Sequence, residues 1–104
     1  MTRPTIEIAA RARRDLDGHV RWLRREAGPD VAVRLTVSAK ATFHKLADSP
    51  GIGSLVEFGG DGMERLRKWR VDGFPDLLIF YRGDRELIQI VRVLHTAQDW
   101  ATIL

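Results

Sequence analysis

Apolar residues change from helical to alternating spacing between the two halves of this chain, and that change decides the class of fold open to it. Ala12, Leu16, Val20, Leu23 and Ala27, then Val31, Leu35, Ala39, Thr42 and Leu46, recur at helical intervals. The pattern places an inward stripe on each of two amphipathic helices. Phe43 widens the second stripe, while Arg13, Arg14, Arg21, Arg24 and Arg25 lie off the first. Gly28 stops one helix and Pro29 starts the next, so the connection is short enough to force an antiparallel hairpin. Ser49-Pro50-Gly51 ends the second helix. From Leu66 onward the period is two: Arg67, Trp69 and Val71 face one way, Lys68 and Arg70 the other. Leu77 to Tyr81 is an unbroken apolar run, suited to a central strand covered on both faces.

Shorter signals complete the outline. Thr5-Ile6-Glu7-Ile8-Ala9 alternates and reads as a leading strand. Residues 51–64 hold five glycines and read as a loop, with a short strand expected at Ser54 to Phe58. Asp72-Gly73-Phe74-Pro75 is a turn, and Arg82-Gly83-Asp84-Arg85 is the hairpin turn into a strand over Leu87 to Leu94. Ala97 to Leu104 reads as a closing helix whose Trp100, Ile103 and Leu104 staple onto the sheet. The expected fold is α+β: a mainly antiparallel four-stranded sheet, an N-terminal helical hairpin packed on one face and a short C-terminal helix, in the order β-α-α-β-β-β-α. Leu16, Val20, Leu23 and Leu35 are expected in the core, and the other sheet face stays partly open. A chain of 104 residues supports one core, so residues 1–104 form a single domain.

Composition narrows the function. The hydrophobic share of 44% and charged share of 30% are those of a soluble globular protein. No apolar run approaches the ~20 residues that span a bilayer. Met1-Thr2-Arg3-Pro4-Thr5 lacks the apolar block of a signal peptide, which makes the cytoplasm the expected location. With no cysteine, disulfide and thiolate chemistry are excluded. Of the 17 basic residues 14 are arginine, in a chain of net charge +3. Arginine suits bidentate contacts with carboxylate or phosphate, so an acidic partner is favoured, protein or nucleic acid.

Arg65, Arg67, Lys68 and Arg70 place four cations within six residues, with Trp69 among them. Two explanations are open: a surface for phosphates or an acidic protein segment, or solubilising charges on an edge strand. His95 precedes Asp99 by four residues, a spacing that brings the two together on one helical turn. A histidine bonded to a carboxylate is poised as a general base; alternatively His95 caps the strand and Asp99 pins the last helix. His19 and His44 lie in separate helices without a cluster of ligands, so neither metal nor cofactor is expected. No phosphate loop, nucleophile elbow or triad is visible.

Several pieces together resemble the ParE branch of the RelE/ParE toxins of bacterial toxin–antitoxin pairs. They are Ala12-Arg13-Arg14-Asp15-Leu16, Phe43 to Leu46 with Ser49-Pro50-Gly51-Ile52-Gly53, Trp69-Arg70-Val71 with Gly73-Phe74-Pro75, and Arg92-Val93-Leu94-His95 with Asp99. The resemblance implies a small toxin neutralised by a ParD-like antitoxin whose C-terminal segment wraps it, with DNA gyrase as target. RelE-branch relatives instead cut messenger RNA on the ribosome, using basic sheet residues and a tyrosine or histidine near the C-terminus. Lys68, Arg70 and His95 match part of that set, but Leu77 stands where the central-strand arginine belongs. The resemblance therefore favours inhibition by binding, with no catalytic residue and with Arg67, Trp69, Arg70 and Arg92 as partner contacts. The alternatives are an RNA endonuclease using Lys68, Arg70 and His95, or a non-toxin nucleic-acid-binding module.

Overall fold

The computed structural model describes residues 3–56 and 65–104. In chain order these form β1 (Thr5–Ile8), α1 (Ala10–Ala27), α2 (Pro29–Asp48), β2 (Ser54–Leu55), β3 (Arg67–Val71), β4 (Phe74–Gly83), β5 (Leu87–His95) and a single helical turn, α3 (Trp100–Ile103). The helices end where the glycine and proline signals place them. Gly28, at φ 99°, caps α1 by donating its N–H to the Leu23 carbonyl. Pro29 occupies the first turn of α2, and Arg24 and Arg25 sit in the last turn of α1, where cations oppose the helix dipole.

The sheet corrects the expected fold. It has five strands rather than four, in the order β1-β5-β4-β3-β2, and it is mixed, because β1 runs parallel to β5 with Ile6 opposite Ile88 and Ile8 opposite Ile90. The remaining pairs are antiparallel. A strand's own alternation says nothing of which edge it joins. Here β1 docks beyond the last strand, and the intervening reversals make that contact parallel. β2 is a two-residue pairing onto β3, too short to announce itself by periodicity. The expected strand at Ser54 to Phe58 is described only to Val56; residues 57–64 of the expected loop lie outside the described residues.

The closing helix is also corrected, to one turn, Trp100–Ile103, instead of Ala97 to Leu104. Side chains satisfy the backbone just before it. Gln98 Oε1 accepts the His95 N–H at 2.7 Å, and His95 Nδ1 accepts the Ala97 N–H at 3.0 Å. Such local bonds give the backbone an alternative to helix.

α1 and α2 cover one sheet face. Their core joins Leu35, Ala39, Phe43 and Leu46 to Val71, Leu77, Ile79, Tyr81, Ile88, Ile90 and Val93, with Leu16, Val20 and Leu23 partly buried against it. The second face carries a smaller cluster of Val56, Leu66, Phe80 and Leu94, partly roofed by Trp100, Ile103 and Leu104. Phe80 pairs with Arg92 but Tyr81 with Ile90, so β5 bulges at Val91. The extra residue lets Ile90 and Val93 share the helix-covered face and re-aims the strand between them. Among the described residues no helix is long and apolar enough to cross a membrane.

Candidate functional site

The cationic strand β3 is held from several sides. Its first residue, Arg67, lies opposite Tyr81 and donates from Nη1 to the Gly53 carbonyl at 2.7 Å. Tyr81, fully buried, donates its hydroxyl to the Pro50 carbonyl and accepts the Gly53 N–H, both at 2.9 Å. Burial pushes the Tyr81 phenol up from its ordinary value, against the smaller opposing pull of the Gly53 N–H. A Cβ on Gly53 would stand 2.5 Å from that hydroxyl oxygen, so only glycine fits. Arg67 and Tyr81 thus clasp the segment after α2 onto the sheet.

The other members of the cationic run diverge. Trp69 turns toward the helices and packs on the main core, with Lys45 Nζ 6.0 Å from its ring centroid. Its Nε1–H is buried without a partner among the described residues. Lys68 and Arg70 lie opposite Phe80 and Leu78, on the second face. Lys68 Nζ sits 4.9 Å from the Trp100 ring centroid, and that ring packs on Phe80. A cation so placed is attracted by the ring quadrupole. Arg70 is exposed beside a groove of about 380 Å³ lined by Ile52, Ser54, Lys68, Pro75 and Leu78.

Arg92 is committed inward. Its Nε and Nη2 donate to the two oxygens of Asp15 on α1 at 2.7 and 2.9 Å, and Asp15 also accepts the Val93 N–H at 3.0 Å. The two side chains are only 16% and 14% exposed. The bond to Asp15 raises the guanidinium above its already high ordinary value, so Arg92 stays charged.

His95 lies opposite Leu77, on the helix-covered side, and does not meet Asp99. Asp99 Oδ2 accepts the Thr102 hydroxyl at 2.7 Å, while His95 Nδ1 takes the Ala97 N–H. The sheet therefore separates Lys68 and Arg70 from His95. His95 borders a cavity of about 260 Å³ with His19, Trp22, Leu23, Phe74, Pro75 and Leu77. His19 Nε2–H donates to the Val93 carbonyl at 2.9 Å. Asp15, Tyr81, His19 and Trp22 were not among the expected site residues. Asp15 carried a signal, as an acid directly following Arg13 and Arg14, but nothing local named its partner.

No curated protein sequence matches this chain. Among solved structures, the chromosomal ParDE system of P. aeruginosa is similar at 19% identity and TM-score 0.73, over 88% of this chain and 95% of that one. The E. coli DinJ–YafQ toxin–antitoxin complex is similar at 16% identity and TM-score 0.60, over 92% of this chain and 96% of that one. At such identities these likenesses establish the fold alone. The family model of the ParE toxin of the type II toxin–antitoxin system parDE matches residues 6–100, and with nearly the whole length covered the chain belongs to the ParE toxin family.

Proposed function

We propose that this chain, acting as one domain in the cytoplasm, inhibits DNA gyrase by binding it and is silenced by a ParD-like antitoxin. The observation that carries a binding mode is the separation of the alternative catalytic set. Lys68 and Arg70 lie on the second face and His95 on the helix-covered face. Cutting RNA needs a base and phosphate-holding cations within hydrogen-bond reach of one scissile group. Of the four contact residues expected, Arg70 meets the target directly, beside the groove of Ile52 and Leu78. Arg67, Trp69 and Arg92 act from beneath, by holding β3 and its neighbours in position.

A gyrase supercoiling assay with purified protein tests this reading. Micromolar toxin is expected to stop supercoiling, Arg70→Glu to relieve the block, and the protein encoded by the adjacent reading frame to reverse it. Messenger RNA cleavage on translating ribosomes, abolished by His95→Ala, would overturn it in favour of the endonuclease.

A further inference from the structure

Two histidines that the proposed binding mode leaves unused meet at one cavity, on the side of the sheet away from Arg70. Its volume is about 260 Å³, and its walls include His19 and Trp22 from α1, Phe74, Asp76 and Leu77 from β4, and His95 from β5. Strand register fixes this meeting: Leu77 pairs with His95, and the Thr96 N–H donates to the Asp76 carbonyl at 2.8 Å. Each histidine spends one ring nitrogen on the backbone. Nε2 of His19 meets the Val93 carbonyl at 2.9 Å, and a carbonyl only accepts, so that nitrogen carries the proton and Nδ1 is left as an acceptor. His95 is the reverse. Its Nδ1 accepts the Ala97 N–H at 3.0 Å, so the proton is on Nε2, which is left as a donor. Asp76 adds an exposed carboxylate that, among the described residues, has no cation within ion-pair distance. Trp22, 55% exposed, and Phe74, partly buried, supply flat aromatic surface.

We infer that this cavity binds a small, flat nitrogen heterocycle bearing an amino group, a free base of the nucleobase kind. The amino N–H groups donate to His19 Nδ1 and the Asp76 carboxylate, a ring nitrogen accepts from His95 Nε2–H, and the ring face lies on Trp22 and Phe74. Comparing ligand classes leads to this one. An alkyl ammonium ion suits Asp76 and the aromatic rings, but it offers no acceptor to the His95 Nε2–H. A phosphate or carboxylate would answer that donor, yet it meets the Asp76 charge and a second acceptor on His19. A plain hydrocarbon leaves all three polar groups without partners. An aminoheterocycle carries donor and acceptor on neighbouring atoms of one edge, and a π-face besides. At about 260 Å³ the cavity is smaller than the ~300 Å³ at which drug-sized pockets begin, which selects one ring or two fused rings. The site stands apart from the gyrase reading, because the groove beside Arg70 lies on the second face.

The test titrates the full chain with adenine, reading affinity by isothermal calorimetry and the histidine rings by their nitrogen NMR shifts. Adenine is expected to bind saturably, moving the ring nitrogens of His19 and His95 and leaving those of His44, which lies outside the cavity, in place. Purine, which lacks the amino group, should bind about tenfold more weakly, the size of a hydrogen bond to a charged group. Trp22→Ala should weaken adenine by about tenfold, as the loss of a base–aromatic stack does. Asp76→Ala should weaken it by about fivefold, through the lost acceptor. Both side chains are exposed, so the variants keep the fold, and an unchanged Tm checks that they do. Toluene or benzylamine binding as tightly as adenine would overturn the inference, by making the cavity a general apolar or cation site. Equal affinity for purine and adenine, full affinity in either variant, or no saturation at millimolar adenine would overturn it too. An oligoadenylate binding more tightly than adenine would do the same, since the site would then belong to a nucleic-acid contact.

Discussion

Asp15 and Arg92 lie 77 positions apart in sequence and share two hydrogen bonds in the fold. Paired, they keep α1 on β5; unpaired, either leaves a partly buried charge without an answer. Asp15→Ala strands both the guanidinium and the Val93 N–H, and is expected to cost about 3 kcal/mol of unfolding free energy, read from urea denaturation midpoints. Gly53 works through space rather than charge. Gly53→Ala drives a methyl group against the Tyr81 hydroxyl and the Lys68 carbonyl, 2.5 and 2.7 Å from its Cβ. A loss of about 1–3 kcal/mol follows from overpacking, seen as a lower Tm. Little of this was legible in sequence. A run of arginines can be counted, yet whether Arg92 reaches outward or into Asp15 depends on a bulge at Val91 that no single residue announces.

Elements were far more legible than contacts. The helical stripes and the Gly28-Pro29 break predict α1 and α2 closely, because helix faces and caps are set by residues a few positions apart. The β4–β5 hairpin is local in the same sense. Asp84 Oδ1 accepts the N–H groups of Glu86 at 2.8 Å and Leu87 at 3.1 Å. Those bonds hold the Asp84 carboxyl below its ordinary 3.8. A carboxyl depressed in the folded state contributes stability that is complete above its unfolded value and is lost as pH falls through the folded one. The stability gap between wild type and Asp84→Ala should therefore be widest above pH 3.8 and close in stronger acid; a series of thermal melts across that range checks it. The last helix was over-read for a physical reason: Trp100, Ile103 and Leu104 bear the helical spacing, while His95 and Gln98 divert the backbone before it into a turn.

At the scale of the whole molecule the decisive contact is β1 on β5, which closes nearly the full length of the chain and makes the sheet mixed. Joining ends so far apart costs loop entropy that only late contacts repay. Ile6→Ala, which thins the packing of β1, should therefore speed unfolding and leave refolding nearly unchanged, a split that stopped-flow chevrons resolve. The same scale governs the candidate site, since the sheet puts Lys68 and Arg70 on one side and His95 on the other. Sequence alone determined what short-range chemistry can encode: two amphipathic helices, the strands of the C-terminal half and an arginine-rich composition. Tertiary structure alone decided the edge that β1 joins, the direction of that pairing, the inward turn of Arg92 and the separation of His95 from the cations. Periodicity is a property of neighbours a few residues apart, whereas register and facing across a sheet arise only when distant segments meet.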